Sequence, residues 1–142
     1  MPTSARRGDL LVDTSVAVAL SVADHEHHEQ VASALARRRL GLAGHAAFET
    51  FSVLTRLPPP ARRPPQVIAR LLAMSFPATR HLSAAAAEAL LARLADGEIA
   101  GGSVYDALVG ATAVEHHLPL ATRDRRALDS YRVLGVDVEH LA

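Results

Sequence analysis

A single α/β domain, with a central parallel sheet flanked by helices, is the fold predicted by three observations. Short apolar runs alternate along the chain with longer segments of helical periodicity, the pattern of strands joined by crossover helices. Ala and Leu supply 48 of the 142 residues against 13 Val and 2 Ile, a balance that favours helices over an all-β architecture. No internal repeat or low-complexity linker divides residues 1–142, so one domain of ordinary size is expected.

The elements follow in order. Asp9 to Val12 reads as a short apolar strand ending at Asp13, and Ser15 to Ser21 as a first helix. His28 to Arg39 is expected to be helical, with Val31, Ala34 and Leu35 on one face and Arg37, Arg38 and Arg39 at the end that favours cations. Leu40 to Ala43 suits a second strand. Ala46 to Leu57 returns to helix, with Phe48, Phe51, Leu54 and Leu57 at three-residue spacing, until Pro58-Pro59-Pro60 ends it. Pro64-Pro65 opens a helix over Gln66 to Met74, and Phe76 to His81 is a weaker strand candidate. Ser83 caps an Ala-rich helix that Asp96-Gly97 closes. After Gly101-Gly102, Ser103 is expected to cap a helix running to about His117. Leu118 to Ala121 reads as a strand, Arg125 to Tyr131 as a short helix and Val133 to Val138 as a last strand.

Composition removes several chemistries. All fifteen basic residues are Arg, so Schiff-base lysines, P-loop lysines and Lys-dependent phosphotransfer are excluded. No cysteine is present, which excludes disulfides, thiolate nucleophiles and Cys-ligated zinc. No Asn is present either, so there is no N-glycosylation site. Fifteen acids cancel the fifteen arginines, and any nucleic-acid contact must come from a local patch. Arg6-Arg7 ahead of Leu10 to Ala23 has the outline of a secretion signal, but Asp13, Thr14 and Ser15 interrupt the apolar run. A buried strand and helix in a cytoplasmic protein, with no membrane span, is the expectation there.

Four carboxylates carry the chemistry. In a parallel sheet the strands end, and the crossover helices begin, at one edge, and ligands gather at that edge. Asp13 follows the first strand. Glu49 lies in the first turn of the helix after the second, Asp106 in the first turn of the helix that feeds Leu118 to Ala121, and Asp124 just past that strand. Each has a plain structural alternative. Asp13 and Asp124 could be helix caps, Glu49 could favour a helix dipole, and Ser103-Val104-Tyr105-Asp106 matches a capping box. Together they are harder to explain so. Clustered carboxylates raise each other's pKa unless cations neutralise them, and only Arg123, Arg125 and Arg126, around Asp124, are at hand. A hard divalent cation such as Mg²⁺ is the natural counter-charge, because it takes oxygen ligands and leaves positions for phosphate.

The stretches Leu11-Val12-Asp13-Thr14-Ser15, Phe48-Glu49-Thr50-Phe51-Ser52-Val53-Leu54-Thr55-Arg56-Leu57-Pro58, Tyr105-Asp106-Ala107-Leu108 and Ala121-Thr122-Arg123-Asp124 resemble the PIN-domain family, and within it the VapC-type toxins. The resemblance covers nearly the whole chain and keeps the order Asp, Glu, Asp, Asp. It implies a parallel-sheet PIN fold, an Mg²⁺- or Mn²⁺-dependent endoribonuclease, a homodimer, and a cognate VapB-type antitoxin that blocks the site. It places the family's acids, as metal ligands and catalytic groups, on Asp13, Glu49, Asp106 and Asp124. Small hydroxyl residues that support those acids fall on Thr14, Ser103 and Thr122.

Other features divide between readings. Arg123, Arg125 and Arg126 are candidates for RNA phosphates, and Arg62-Arg63 could be either phosphate ligands or solvated surface. His25, His27 and His28 suggest a metal, but polar entry into a helix explains them more simply. Two other functions remain in competition: a non-catalytic PIN-type module binding RNA or protein, and an Asp-based phosphotransfer or phosphatase domain built on Asp13. The second wants a lysine the chain lacks, and its dehalogenase-like form needs an acid where Ser15 stands.

Overall fold

Four three-residue strands carry the fold in the computed structural model, which describes residues 8–97 and 99–142. They are β1 (Leu10–Val12), β2 (Leu40–Leu42), β3 (Leu120–Thr122) and β4 (Val138–His140), all parallel, in the order β2-β1-β3-β4. The helices are α1 (Thr14–Ser21), α2 (His28–Leu35), α3 (His45–Thr55), α4 (Pro65–Ser75), α5 (Ala84–Ala95), α6 (Ser103–Glu115) and α7 (Leu128–Leu134), the last preceded by a 3₁₀ turn at Arg125–Ala127. Among the described residues no helix is long and apolar enough to cross a membrane. Arg6 and Arg7 lie outside the described residues, and the apolar run after them forms β1 and α1 as expected.

The central strand shows why both faces must be covered. Leu10 and Val12 pack with Val16, Val31, Leu42, Leu54, Ile68 and Phe76 on one side. Leu11 packs with Leu120, Val109, Ala113 and Tyr131 on the other. This is the two-residue alternation of a strand buried on both faces. A third cluster, Leu90, Ile99, Ala107 and Leu134, binds α5, α6 and α7 to each other.

Three boundaries differ from the sequence expectation. Helix α2 stops at Leu35, so Arg37, Arg38 and Arg39 do not cap its last turn. Instead Arg38 makes two bonds to Glu139 of β4, at 3.1 and 3.0 Å, and Arg39 pairs with Asp9 at 2.9 Å. Specific ion pairs outweigh a screened dipole there. The segment Phe76 to His81 is not a strand. It runs beside β2, with Ala78 N–H donating to Leu40 and Arg80 N–H to Leu42, but only an isolated bridge joins Ala43 and Arg80. The Thr79 hydroxyl accepts the Leu42 N–H at 2.9 Å and so replaces a backbone carbonyl in the ladder. Finally, Val133 and Leu134 belong to α7, because Gly135 takes a left-handed conformation (φ 76°) that ends the helix and delays β4 to Val138.

Gly41 is where β2 and that flanking segment touch. A Cβ at Gly41 would lie 2.2 Å from the Ala78 carbonyl carbon and oxygen, with backbone rather than a flexible side chain in the way. Gly41→Ala is therefore expected to destabilise the fold by about 3 kcal/mol, read as a lowered urea midpoint at unchanged m-value. A variant as stable as the parent would show that the segment can move aside.

Candidate functional site

Asp13 is built into the carboxyl edge of the sheet. It directly follows β1, its backbone N–H donates to Ala121 of β3, and its carboxylate caps α1 by accepting the Val16 N–H at 3.3 Å. Only 5% of the residue is exposed. The Ser15 hydroxyl donates to Oδ1 at 2.5 Å and the Tyr131 hydroxyl to Oδ2 at 3.0 Å. Burial pushes the Asp13 carboxyl above its ordinary value, and the bonds from Ser15, Thr122, Tyr131 and Val16 only partly offset that. A buried carboxylate held this firmly has one orientation.

Thr122 and Asp124 lie at the same edge. The Ser15 hydroxyl also accepts the Arg123 N–H at 2.9 Å, tying the start of α1 to the end of β3. Thr122 is fully buried and its hydroxyl accepts the Asp124 N–H at 3.0 Å, which sets the loop that carries Asp124. Asp124 itself accepts the Arg126 N–H at 2.9 Å and caps the 3₁₀ turn. Asp13 and Asp124 thus do cap helical turns, and their caps fix where their remaining oxygens point.

Asp106 departs from the capping-box alternative. Helix α6 begins at Ser103 itself, its cap position is Gly102, and no side chain caps it. Burial pushes the Asp106 carboxyl up to about 6, followed by the negative charges of Asp124, Asp13 and Glu49, with Arg126 pulling the other way. Three carboxylates far apart in sequence therefore reach Asp106 through space. Tyr131 responds to the same field: burial first, then Asp13, Asp106 and Asp124, push its hydroxyl upward.

Glu49 sits one residue deeper in its helix than the sequence suggested, just past the first turn. Helix α3 starts at His45, so no acid lies in its first turn, and the His45 Nε2 approaches Glu49 Oε1 at 3.7 Å. The entry to α3 is Gly44, at φ 52°, where a Cβ would stand 2.7 Å from the Thr112 hydroxyl of α6. This close approach of Gly44 to α6 brings the helix of Glu49 toward the helix of Asp106.

The remaining candidates are less involved. Ser103 is an exposed residue at the start of α6, and Arg125 and Arg126 are exposed beside Asp124, with the Arg126 Nε at 3.6 Å from its carboxylate. Among the described residues, Thr14 Oγ1 and Arg123 Nε are buried at this edge without a hydrogen-bond partner. Arg62 and Arg63 donate to carbonyls of their own loop, at Leu57 and Pro60. His28 Nδ1 lies 2.8 Å from the Ala19 carbonyl, so the His25–His28 segment is a helix entry. Among the described residues no three His, Cys, Asp or Glu side chains are drawn together tightly enough to cage an ion unaided.

Sequence reasoning missed Tyr131 and Ser15 as partners of Asp13. Tyr131 carried a usable signal: it lies four residues after Ala127 and three before Leu134 on an apolar helical face. A tyrosine buried there needs a partner for its hydroxyl. Which partner was not readable, since Asp13 is 118 residues away.

Residues 10–133 match the PIN domain. Ribonuclease VapC27 of Mycobacterium tuberculosis is 51% identical over 129 residues, covering 91% of this chain and 94% of that protein. Among solved structures, the sarcin–ricin loop cleaving toxin VapC20 of M. tuberculosis superposes with a TM-score of 0.66 at 20% identity, over 85% of this chain and 94% of that one. DNA-bound VapBC from Salmonella typhimurium gives 0.65 at 17% identity, over 94% and 98%.

Proposed function

The chain belongs to the PIN-domain family, and on that premise we propose that it is a VapC-type toxin endoribonuclease that uses a divalent cation, Mg²⁺ or Mn²⁺. The observation that carries the reading is the through-space convergence of Asp13, Glu49 and Asp124 on Asp106, which has no capping role to explain it. The donor set fits a hard cation. All four groups are carboxylates, Arg126 beside Asp124 is surface-exposed, and among the described residues Thr14 Oγ1, next to Asp13 in the chain, is buried without a hydrogen-bond partner. The openness of the cluster also fits, because Mg²⁺ keeps several waters and takes one or two direct carboxylates.

Asp13 and Asp106 would hold the cation, with Glu49 and Asp124 direct or through water. A cation there would lower the pKa of water and offset charge on the phosphoryl oxygens. The protein's own contribution is orientation. Ser15 and Tyr131 fix the Asp13 carboxylate, Thr122 fixes the Asp124 loop, and Gly44 sets α3 against α6. Arg125 and Arg126, exposed beside Asp124, would contact RNA phosphates flanking the cleaved bond. The phosphotransfer alternative is not supported: an Asp13 carboxylate held by Ser15, Tyr131 and Val16 is a poor nucleophile, and no lysine is available.

The same reading takes a VapB-type antitoxin as partner, a homodimer as the working form and the cytoplasm as the place of action. An acidic pocket suits an arginine from the antitoxin. Purified protein should cleave single-stranded RNA with Mg²⁺ or Mn²⁺ and stop in excess chelator. Co-expression with the adjacent short reading frame should give a complex and suppress toxicity. Cleavage undiminished by chelator, with contaminating nucleases excluded, would overturn the metal assignment, and failure to co-purify would overturn the partner.

A further inference from the structure

We propose that Tyr105 and His45, with Phe48 beside them, form a stacking subsite for an unpaired base of the RNA next to the cleaved phosphate. This inference rests on the ribonuclease reading and adds to it how substrate is gripped.

The chain has only three Phe and two Tyr. Phe76 and Tyr131 are buried, and Phe51 packs against the core. The two exposed ones, Phe48 at 66% and Tyr105 at 53%, each immediately precede one of the four site acids, Glu49 and Asp106. Three-residue spacing predicts Phe48 on the inner face of its helix, yet it is turned outward with Glu49. His45, Phe48 and Glu49 stand at i, i+3 and i+4, on one face of α3.

Across from that face, the Tyr105 ring of α6 stacks on the His45 ring, with centroids 5.1 Å apart and planes 19° from parallel. The same His45 imidazole lies 3.7 Å from Glu49 Oε1. The ring pair is therefore continuous with the carboxylate cluster. Phe48, one turn after His45 on the same face, has its ring 6.3 Å from that of His81.

This placement answers a physical need. The chain has zero net charge and the site itself is acidic, so bulk electrostatics does not draw RNA to it. Base–aromatic stacking supplies affinity without positive charge and tolerates any base. A base can reach the open face of Tyr105 only when it is unpaired, so loops and single strands are the expected substrates.

The test uses the full-length protein, Mg²⁺, and a single-stranded oligoribonucleotide it cleaves, together with copies carrying one abasic nucleotide at successive positions. Tyr105→Ala should raise KM about tenfold with kcat little changed, while Tyr105→Phe keeps the parental value. One abasic position flanking the cut should raise KM similarly for the parent protein and leave Tyr105→Ala unaffected. Unchanged melting temperatures would show that the folds are intact. If Tyr105→Ala cleaves with parental KM, or shows the parental abasic profile, the subsite is overturned while the ribonuclease assignment stands. If Phe48→Ala and Tyr105→Ala lose only binding of the co-expressed antitoxin, the rings belong to a protein interface and the subsite is likewise overturned. A parent protein that cleaves no RNA with either metal removes the ribonuclease reading first, and the subsite with it.

Discussion

Asp13→Asn is expected to reduce RNA cleavage by more than a hundredfold while leaving the protein folded. Removing a residue that merely orients a metal ligand costs about 10–100-fold, and loss of an anionic ligand itself should exceed that. Folding should survive because the amide keeps the shape of the carboxylate and can still bond to Ser15 and Tyr131. The sign of the stability change follows from burial. The Asp13 carboxyl is raised in the folded state. Its favourable contribution is thus complete below the unfolded value and is lost as pH rises through the folded one. At neutral pH the metal-free parent carries that burden and the variant does not, so urea melts without metal should show equal or greater stability for Asp13→Asn. Tyr131→Phe is the companion experiment. It removes a donor to Oδ2, lets the Asp13 carboxyl rise further, and should move the acid limb of the pH–rate profile upward with a loss of about tenfold. A Tyr131→Phe protein with an unshifted profile would mean that Ser15 and Val16 alone hold Asp13.

Topology made the acids legible. Asp13, Glu49, Asp106 and Asp124 were placed together because strands of a parallel sheet end at one edge, and that rule needs only the order of elements. The rule is silent about side chains that reach the edge from elsewhere. Tyr131 arrives from the middle of α7, and Ser15 ties the start of α1 to Arg123 after β3, 108 residues away. Boundaries failed where a local interaction outweighed propensity. Arg37 to Arg39 suit a helix terminus, but Glu139 and Asp9 provide fixed partners that sequence distance conceals. Thr79 interrupts a strand-like segment by using its hydroxyl in place of the backbone. Phe48 is different in kind. Its spacing with Phe51, Leu54 and Leu57 suits an apolar face, and its exposure departs from burial at the very position that adjoins Glu49.

Asp106→Asn separates a metal-binding carboxylate from a residue that only decorates a helix start. A charge lost from a helix N-terminus costs about 0.3–1 kcal/mol, so a dipole role predicts slight destabilisation and retained cleavage. Burial of Asp106, together with the repulsion from Asp124, Asp13 and Glu49, predicts the opposite. With its carboxyl pushed up to about 6, the metal-free parent should lose stability as pH rises from the ordinary carboxylate range through that value. Asp106→Asn should lose that share of the pH dependence, keeping what Asp13 contributes, and, because the group is partly exposed and screened, should be more stable by on the order of 1 kcal/mol above the window. Metal reverses the order. At a concentration near one hundred times its dissociation constant, Mg²⁺ should stabilise the parent by about 2.7 kcal/mol, raising the melting temperature by roughly 5–10 °C. The variant should show less than half that rise, together with a loss of cleavage of at least about a hundredfold, since the ligand that needed the cation most is gone. Melts at pH 5 and pH 7.5, with and without Mg²⁺, read all of these signs alongside a cleavage assay. A variant that cleaves near the parental rate with its Mg²⁺ response intact would remove Asp106 from the site, leaving Glu49 and two helix caps, Asp13 and Asp124, too little to make the case for a cation.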